Sequence, residues 1–213
     1  MSNYTPSAMS LEEKRSRACS IHPLLAQRRS LRAFSSRPVD PDRLHLLLEA
    51  ARWAPSSMNE QPWSFLIAAQ ENQADFNRLL GCLLEFNIRW AQNAPVLLLA
   101  VARLTFASTG ELNRHALYDA GQAMANLTFQ ANVCGLSVCQ MAGFDMEKTR
   151  RTFSIPPGHE PAVIAAVGYP GHLDGLPESL QKKVAAAQQR KSVEEFVFES
   201  TWGRSAALMR KRA

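Results

Sequence analysis

Prolines fix where the first well-marked helix of this chain begins and ends, and that punctuation constrains what is built on it. Asp40 is a favoured N-cap residue, and Pro41 has the fixed φ that suits a first helical position. Leu44, Leu47, Leu48 and Ala51 recur on one face, so one side of the segment has to be buried. Pro55 disfavours helical geometry at Ala54 and stops the helix there. The stretch Pro55-Ser56-Ser57-Met58-Asn59-Glu60-Gln61-Pro62 is rich in turn formers and runs straight into 63–69, an apolar run of strand length. The result is a polar, proline-bounded turn between two apolar segments.

The same reading extends along the chain. Residues 71–80 and 84–91 look helical, and 95–102 is a buried-strand candidate because nearly every position is aliphatic. The longest helix is expected over 113–134, with Ala116, Ala120, Ala123, Met124, Leu127 and Ala131 at helical spacing and Gly135 where a C-terminal cap belongs. Its stripe of small side chains permits close approach by another helix. Residues 136–140 and 162–167 complete the strand set, with a helix over 145–153 between them. Alternating helices and strands argue for an α+β or α/β sandwich around one central sheet. At 213 residues a single domain is expected, burying roughly 70% of the surface its unfolded chain exposes. It should span 21–202, after a polar tail over 1–20 and before a basic tail over 203–213.

Several function classes are not supported. The longest apolar runs fall far short of a membrane span, and the first 20 residues lack the apolar centre of a leader, so a cytoplasmic protein is expected. The four cysteines form no CxxC pair and read as reduced thiols. The five histidines are scattered, and no metal site is expected. The net charge of +5 is spread over the N-terminal tail and first motif, residues 182–191, and Arg210-Lys211-Arg212. It forms no aromatic-interleaved patch, so a nucleic-acid partner is not expected. Neither GxGxxG nor GxxxxGK[ST] occurs, and no Gly-x-Ser-x-Gly elbow is present.

Two motifs carry chemistry. Arg28-Arg29-Ser30-Leu31-Arg32 gathers three guanidinium groups around a hydroxyl, suited to a phosphate by paired, charge-assisted hydrogen bonds. A solvated basic turn is the plain alternative. In the polar turn, Ser56, Ser57, Asn59 and Gln61 offer donors and acceptors, and an amide such as Asn59 matches a heterocycle edge of alternating N–H and C=O groups. The alternative is a connecting loop with Trp63 in the core. Met141-Ala142-Gly143-Phe144 follows a strand, and glycine there lets backbone approach a flat ring. It reads equally as a strand-to-helix turn with Asp145 as N-cap. Arg190 ends a basic helical stretch and either returns to the phosphate or is an exposed helix-end charge.

The order and spacing of Arg28-Arg29-Ser30-x-Arg32 and Ala54-Pro55-Ser56-Ser57-x-Asn59-x-Gln61-Pro62-Trp63 resembles the nitroreductase family of flavoenzymes. Phe86-Asn87, the 121–131 helix with its Gly135-Leu136 exit, Gly143-Phe144 and Val167-Gly168-Tyr169 fit the same resemblance, which covers about 23–202. It implies an α+β fold: a three-layer α/β/α sandwich with a central mixed, mostly antiparallel sheet, built as an intertwined homodimer with FMN at the interface. Arg28, Arg29 and Ser30, joined by Arg190, would hold the phosphate. Arg32 would sit by the pyrimidine end and stabilise negative charge there. Ser57 and Asn59 would approach from the other subunit, Pro55, Ser56 and Gln61 would also contact the cofactor, and Asn87 would lie at the ring edge. Met141, Ala142 and Gly143 would give backbone contacts near the reactive nitrogen. Residues 193–202 would extend over the partner. Relatives often carry a lysine where Gln188 stands. The implied activity is ping-pong transfer of hydride from NADH or NADPH through FMN to nitroaromatic, quinone or related small acceptors. Residues 103–113 would cap the pocket, with Phe106 able to stack on an acceptor. Reductive dehalogenation or oxygen-dependent flavin fragmentation on the same scaffold, and a flavin- or nucleic-acid-binding regulator without turnover, are the competing readings.

Overall fold

The computed structural model describes residues 21–185 and 189–207. The expected N-terminal tail, Gln188 and the end of the basic C-terminal tail lie outside them. The chain divides into two compact units between Pro177 and Glu178.

In the first unit, α1 (Pro23–Gln27) is a single short helix, and the chain then runs extended through the arginine motif. The punctuation around residue 40 works as its chemistry requires. The Asp40 carboxylate accepts the Asp42 N–H at 2.8 Å, and α2 (Pro41–Arg52) ends before Pro55. Leu47 and Ala51 are its buried positions, and burying such a leucine contributes about 1.5–3 kcal/mol. After the polar turn come β1 (Trp63–Ala69), α3 (Gln73–Leu80), α4 (Glu85–Ala91) and β2 (Val96–Arg103). The long helix is α5 (Ala116–Val133), followed by β3 (Ser137–Met141), α6 (Met146–Thr152) and β4 (His159–Gly168). Asp145 does cap α6, accepting the Lys148 N–H at 2.8 Å.

The long helix starts later than the periodicity suggested. Asn113 is held instead in a local turn, its side-chain oxygen accepting the His115 N–H at 3.0 Å and its carbonyl accepting the Ala116 N–H at 3.1 Å. An Asx-type turn of this kind competes with helix for the same backbone groups.

The strand order is β1-β2-β4-β3, and all three described pairings are antiparallel. Trp63 pairs with Ala102, Ala102 with Glu160, and Met141 with Ile164. The polar turn entering β1, the exit of β2 and the exit of β3 therefore share one end of the sheet. Successive side chains point to opposite faces. Val96, Leu98, Ala100, Val138, Ala165 and Val167 pack with Leu47 and Ala51 of α2 and with Ala123, Met124, Leu127 and Ala131 of α5. Helix α3 packs on β1 and β2, and α6 on β4, making three α/β/α layers. The small residues of α5 serve its contact with α2.

The second unit holds α7 (Glu178–Ala185) and, after residue 189, a short hairpin-like segment. Ser192 and Glu195 form a capping box around the turn Val193–Glu195, and Phe198 bridges to Ser205. Arg190 was expected at the end of a helix. It lies in non-helical chain instead, because the Ser192 capping box begins a new turn two residues later.

Candidate functional site

The chain leaves the helix at Arg28 with φ of −60° and ψ of 125°, and alternate residues of the arginine motif line different cavities. Arg28 and Ser30 share one cavity of about 200 Å³ with Ala125, Thr128 and Phe129 of α5 and Val138 and Gln140 of β3. The Arg28 Nη1 donates to Ser30 Oγ at 3.2 Å, and Gln140 Nε2 donates to Thr128 Oγ1 at 3.2 Å. Arg29 and Leu31 face the other way, into a separate space of about 270 Å³ beside Asn132, Gly135 and Ser137. The three guanidinium groups of the motif therefore do not converge: the structure joins Arg28 to Ser30 and turns Arg29 away.

Arg32 stands over the Trp90 ring, its guanidinium carbon 5.7 Å from the centroid. It also acts on the Cys139 thiol in mid-β3. Burial pushes that thiol up from its ordinary range, while hydrogen bonding and charge from Arg32, and charge from Arg28, pull the other way. Arg28 and Arg32 thus both address strand β3, close to the turn that follows it. A larger cavity of about 610 Å³ takes in Arg32, Phe34, Ser36, Gln70, Asn93 and His172. Gln70 and Asn93 put it at the opposite end of the sheet from the polar turn, so size alone does not mark the site. The smaller cavity holds two residues of one motif together with Thr128 and Gln140. No carboxylate lines it, and its guanidinium, hydroxyl and amide groups fit a phosphate ester.

The polar turn is strained and firmly held. Ser57–Asn59 is a single 3-10 turn, and Met58, Asn59 and Gln61 have φ of 52°, 55° and 48°. Left-handed geometry costs a residue other than glycine roughly 1–3 kcal/mol and persists where surroundings enforce it, often at binding sites. Two carboxylates supply that enforcement. Asp119 of α5, 2% exposed, accepts the Ser57 N–H at 3.0 Å. Glu60 pairs with Arg103 and accepts the Ala107 N–H at 2.7 Å, tying the turn to the loop after β2. Ser56 Oγ accepts the Gln61 N–H at 3.0 Å, and the Pro55 carbonyl accepts Gln122 Nε2 at 3.3 Å. Among the described residues the Asn59 side chain is exposed and makes no hydrogen bond, so its amide stays available to a ligand.

Asn87 and Gly143 meet. The Asn87 amide donates to the Gly143 carbonyl at 3.0 Å, and the Leu84 N–H donates to the same oxygen at 3.0 Å. A Cβ at residue 143 would lie 2.5 Å from the Phe86 ring and 2.9 Å from the Asn87 amide nitrogen, so any larger residue there has to displace those side chains. Met141 is buried at the end of β3, and Ala142 is exposed beyond it. Phe106 is half-buried in the loop after β2, which Thr105 and Leu112 close by a bridge. Arg190 is exposed in the second unit, donating to the Gln189 carbonyl at 2.7 Å.

Within the chain the turn and the arginine cavity stand apart. Asp119 and Thr128 are nine residues apart on α5, about 14 Å at the helical rise. Sequence reasoning had not singled out Glu60, Asp119, Thr128 or Gln140. Asp119 carried a signal, a lone acid adjoining the small-residue stripe of the long helix; Glu60 carried none.

Comparisons with known proteins bear on the family and the fold. A model of the nitroreductase family matches residues 25–169. An NADH dehydrogenase of Thermus thermophilus is 27% identical over 183 residues, covering 71% of this chain and 86% of that protein. Iodotyrosine deiodinase 1 of Rattus norvegicus is 26% identical over 205 residues, covering 80% of this chain and 69% of that protein. A solved structure described as an oxidoreductase containing FMN superposes with a TM-score of 0.82 at 28% identity, covering 96% of this chain and 100% of that one.

Proposed function

The chain belongs to the nitroreductase family, and on that premise we propose that it is an FMN-dependent oxidoreductase using NADH or NADPH to reduce nitroaromatic, quinone or related small acceptors. The observation that carries this reading is the cavity where Arg28 and Ser30 meet Thr128 and Gln140 with no carboxylate among its lining residues. FMN, when bound, supplies the two-electron chemistry, taking hydride from the nicotinamide and passing it to the acceptor. Arg28 and Ser30 hold its phosphate by charge-assisted hydrogen bonds. Arg32 keeps a positive charge beside β3, which favours a ligand edge that gathers negative charge. Ser57 and Asn59 offer polar groups to the heterocycle, and Met141, Ala142 and Gly143 offer backbone. Reductant and acceptor use the site in turn, and Phe106 borders it.

A cavity of about 200 Å³ falls below the roughly 300–1,000 Å³ usual for ligand sites. We propose that a second copy completes it, the polar turn of one protomer reaching the arginines of the other. Arg29, Arg190 and the 193–202 segment then act in that homodimer. A small-molecule acceptor in the cytoplasm, with no nucleic-acid or membrane partner, fits this reading.

The test is an absorption spectrum of the purified protein followed by anaerobic addition of NADH or NADPH. A yellow protein that bleaches, and recovers colour on adding a quinone or nitroaromatic, supports the proposal. A colourless protein that takes up no FMN overturns it. The similarity to iodotyrosine deiodinase across 80% of the chain favours one second reading, reductive dehalogenation on the same scaffold. Anaerobic turnover of a halogenated phenol faster than of any quinone or nitro compound selects it.

A further inference from the structure

We propose that Glu60 is a positioning residue that straps the loop over 103–113 to the polar turn and so sets which acceptors the site admits. This deepens the oxidoreductase reading above and rests on it. The Glu60 side chain is 11% exposed, and one of its oxygens serves two partners, the Arg103 guanidinium and the Ala107 N–H.

The base of the loop is fixed without Glu60. Leu104 N–H donates to the Gly158 carbonyl at 2.7 Å, Asn113 N–H to the Leu104 carbonyl at 2.8 Å, and Phe106 N–H to the Glu111 carbonyl at 2.9 Å. The tip beyond Phe106 is bonded within the loop, as in Gly110 N–H to the Phe106 carbonyl at 2.9 Å. Among the described residues, the hydrogen bond that ties this tip to the rest of the protein is the one to Glu60.

At its other end the strap is anchored in the strained turn. Asn59 and Gln61, on either side of Glu60, are both left-handed, so the carboxylate is presented by backbone with little freedom to follow the loop. The Nε of Arg103 is buried with no acceptor among the described residues. The geometry is therefore built around the Nη contact to Glu60, and the guanidinium has no second anchor through that nitrogen. A carboxylate fixed in this way holds Ala107, and its neighbour Phe106, at a set distance from the turn.

The test compares the FMN-loaded wild type with E60A and E60Q, reading amide exchange and turnover. A hydrogen bond to a charged group is worth enough to protect an amide by about tenfold or more, so E60A should speed exchange at Ala107 by that factor. Exchange at Leu104 and Asn113 should stay unchanged. E60Q keeps an acceptor for Ala107 and should fall between the two. In steady state, E60A should raise the acceptor KM by about tenfold with kcat preserved, and the acceptor preference, read as the ratio of kcat/KM for one-ring and two-ring quinones, should shift. A purely structural Glu60 would lower the melting temperature and leave that preference intact.

Unaltered Ala107 exchange in E60A overturns the proposal, and so does faster exchange with an unchanged KM and acceptor preference. If E60A does not fold, E60Q carries the same comparison. A protein that takes up no FMN sinks the oxidoreductase reading, whereas Ala107 exchange decides the strap by itself.

Discussion

Asp119→Ala tests the other clamp on the polar turn. The carboxylate is 2% exposed and accepts the Ser57 N–H at 3.0 Å, with Gln122 Nε2 at 3.4 Å from its second oxygen. Alanine leaves the Ser57 N–H without its charged partner, a loss of about 1.5–3 kcal/mol. Removing a buried charge recovers part of that cost, so a net destabilisation of about 2 kcal/mol is expected. For a chain of this size that is a fall in Tm of about 4–8 °C, and urea unfolding should show a lower midpoint with unchanged slope. Asp119→Asn keeps a carbonyl oxygen for Ser57 and should lose less than half as much. Because the three left-handed residues stand next to this bond, the alanine variant should also bind FMN more weakly, by about tenfold. A Tm within about 1 °C of wild type, together with unaltered FMN affinity, would refute the idea that Asp119 holds the turn.

The arginine motif predicts an asymmetry. Arg28→Ala should weaken FMN binding by about ten- to a hundredfold, whereas Arg29→Ala, which faces the other side of the chain, should cost under about fivefold. Equal losses measured by flavin fluorescence would contradict this placement. Gly171→Ala should prevent folding to the native state, since its Cβ would meet Phe34 and Ser35 backbone at 2.4–2.7 Å. Gly143→Ala should fold with a loss of about 1–3 kcal/mol, because the exposed Phe86 ring has room to move; circular dichroism and melting separate the two. The exposed Glu49 carboxyl is lowered to about 2 by its hydrogen bond from Arg52, so the small stability it adds is present above the ordinary carboxylate range and lost as pH falls toward 2. In Arg52→Ala its NMR titration should move up toward the ordinary carboxylate range, with the Trp53 hydrogen bond left in place, and a native Glu49 already titrating in that range would remove the argument.

Much of the fold was legible because its local signals agree with one another. Asp40, Pro41 and Pro55 mark α2 to within two residues, and the aliphatic run over 95–102 is one of the two strands inside the sheet. Strand order was not legible. Nothing in the period of a strand says that β4 inserts between β2 and β3, since that choice depends on which faces α2 and α5 cover. Asn113 shows the limit of periodicity at element ends, where a side chain that bonds its own backbone overrides an apolar stripe. Arg190 shows it again, because a basic run looks helical until a capping box two residues on starts a new turn.

The site divides along the same line, between what one segment determines and what distant segments must supply. Alternation along non-helical, extended backbone is a local matter, so the separation of Arg28 and Ser30 from Arg29 is a property of three consecutive residues. The polar turn announced its composition but not its strain. Met58, Asn59 and Gln61 adopt left-handed geometry because Asp119 and Glu60 restrain the turn from two sides, and Asp119 lies 62 residues beyond the Ser57 it holds. Gly143 makes the point most sharply. Glycine there implied close approach by a flat ring, and the ring that fills the space within this chain is Phe86, next to Asn87, whose amide bonds a carbonyl 56 positions away. A residue type can state that something must come close, whereas its identity is set by the folded chain. Any ligand that reaches this turn therefore meets a surface already shaped by Phe86 and Asn87, and acceptor preference is expected to follow those two side chains and the strapped loop more than the arginine motif.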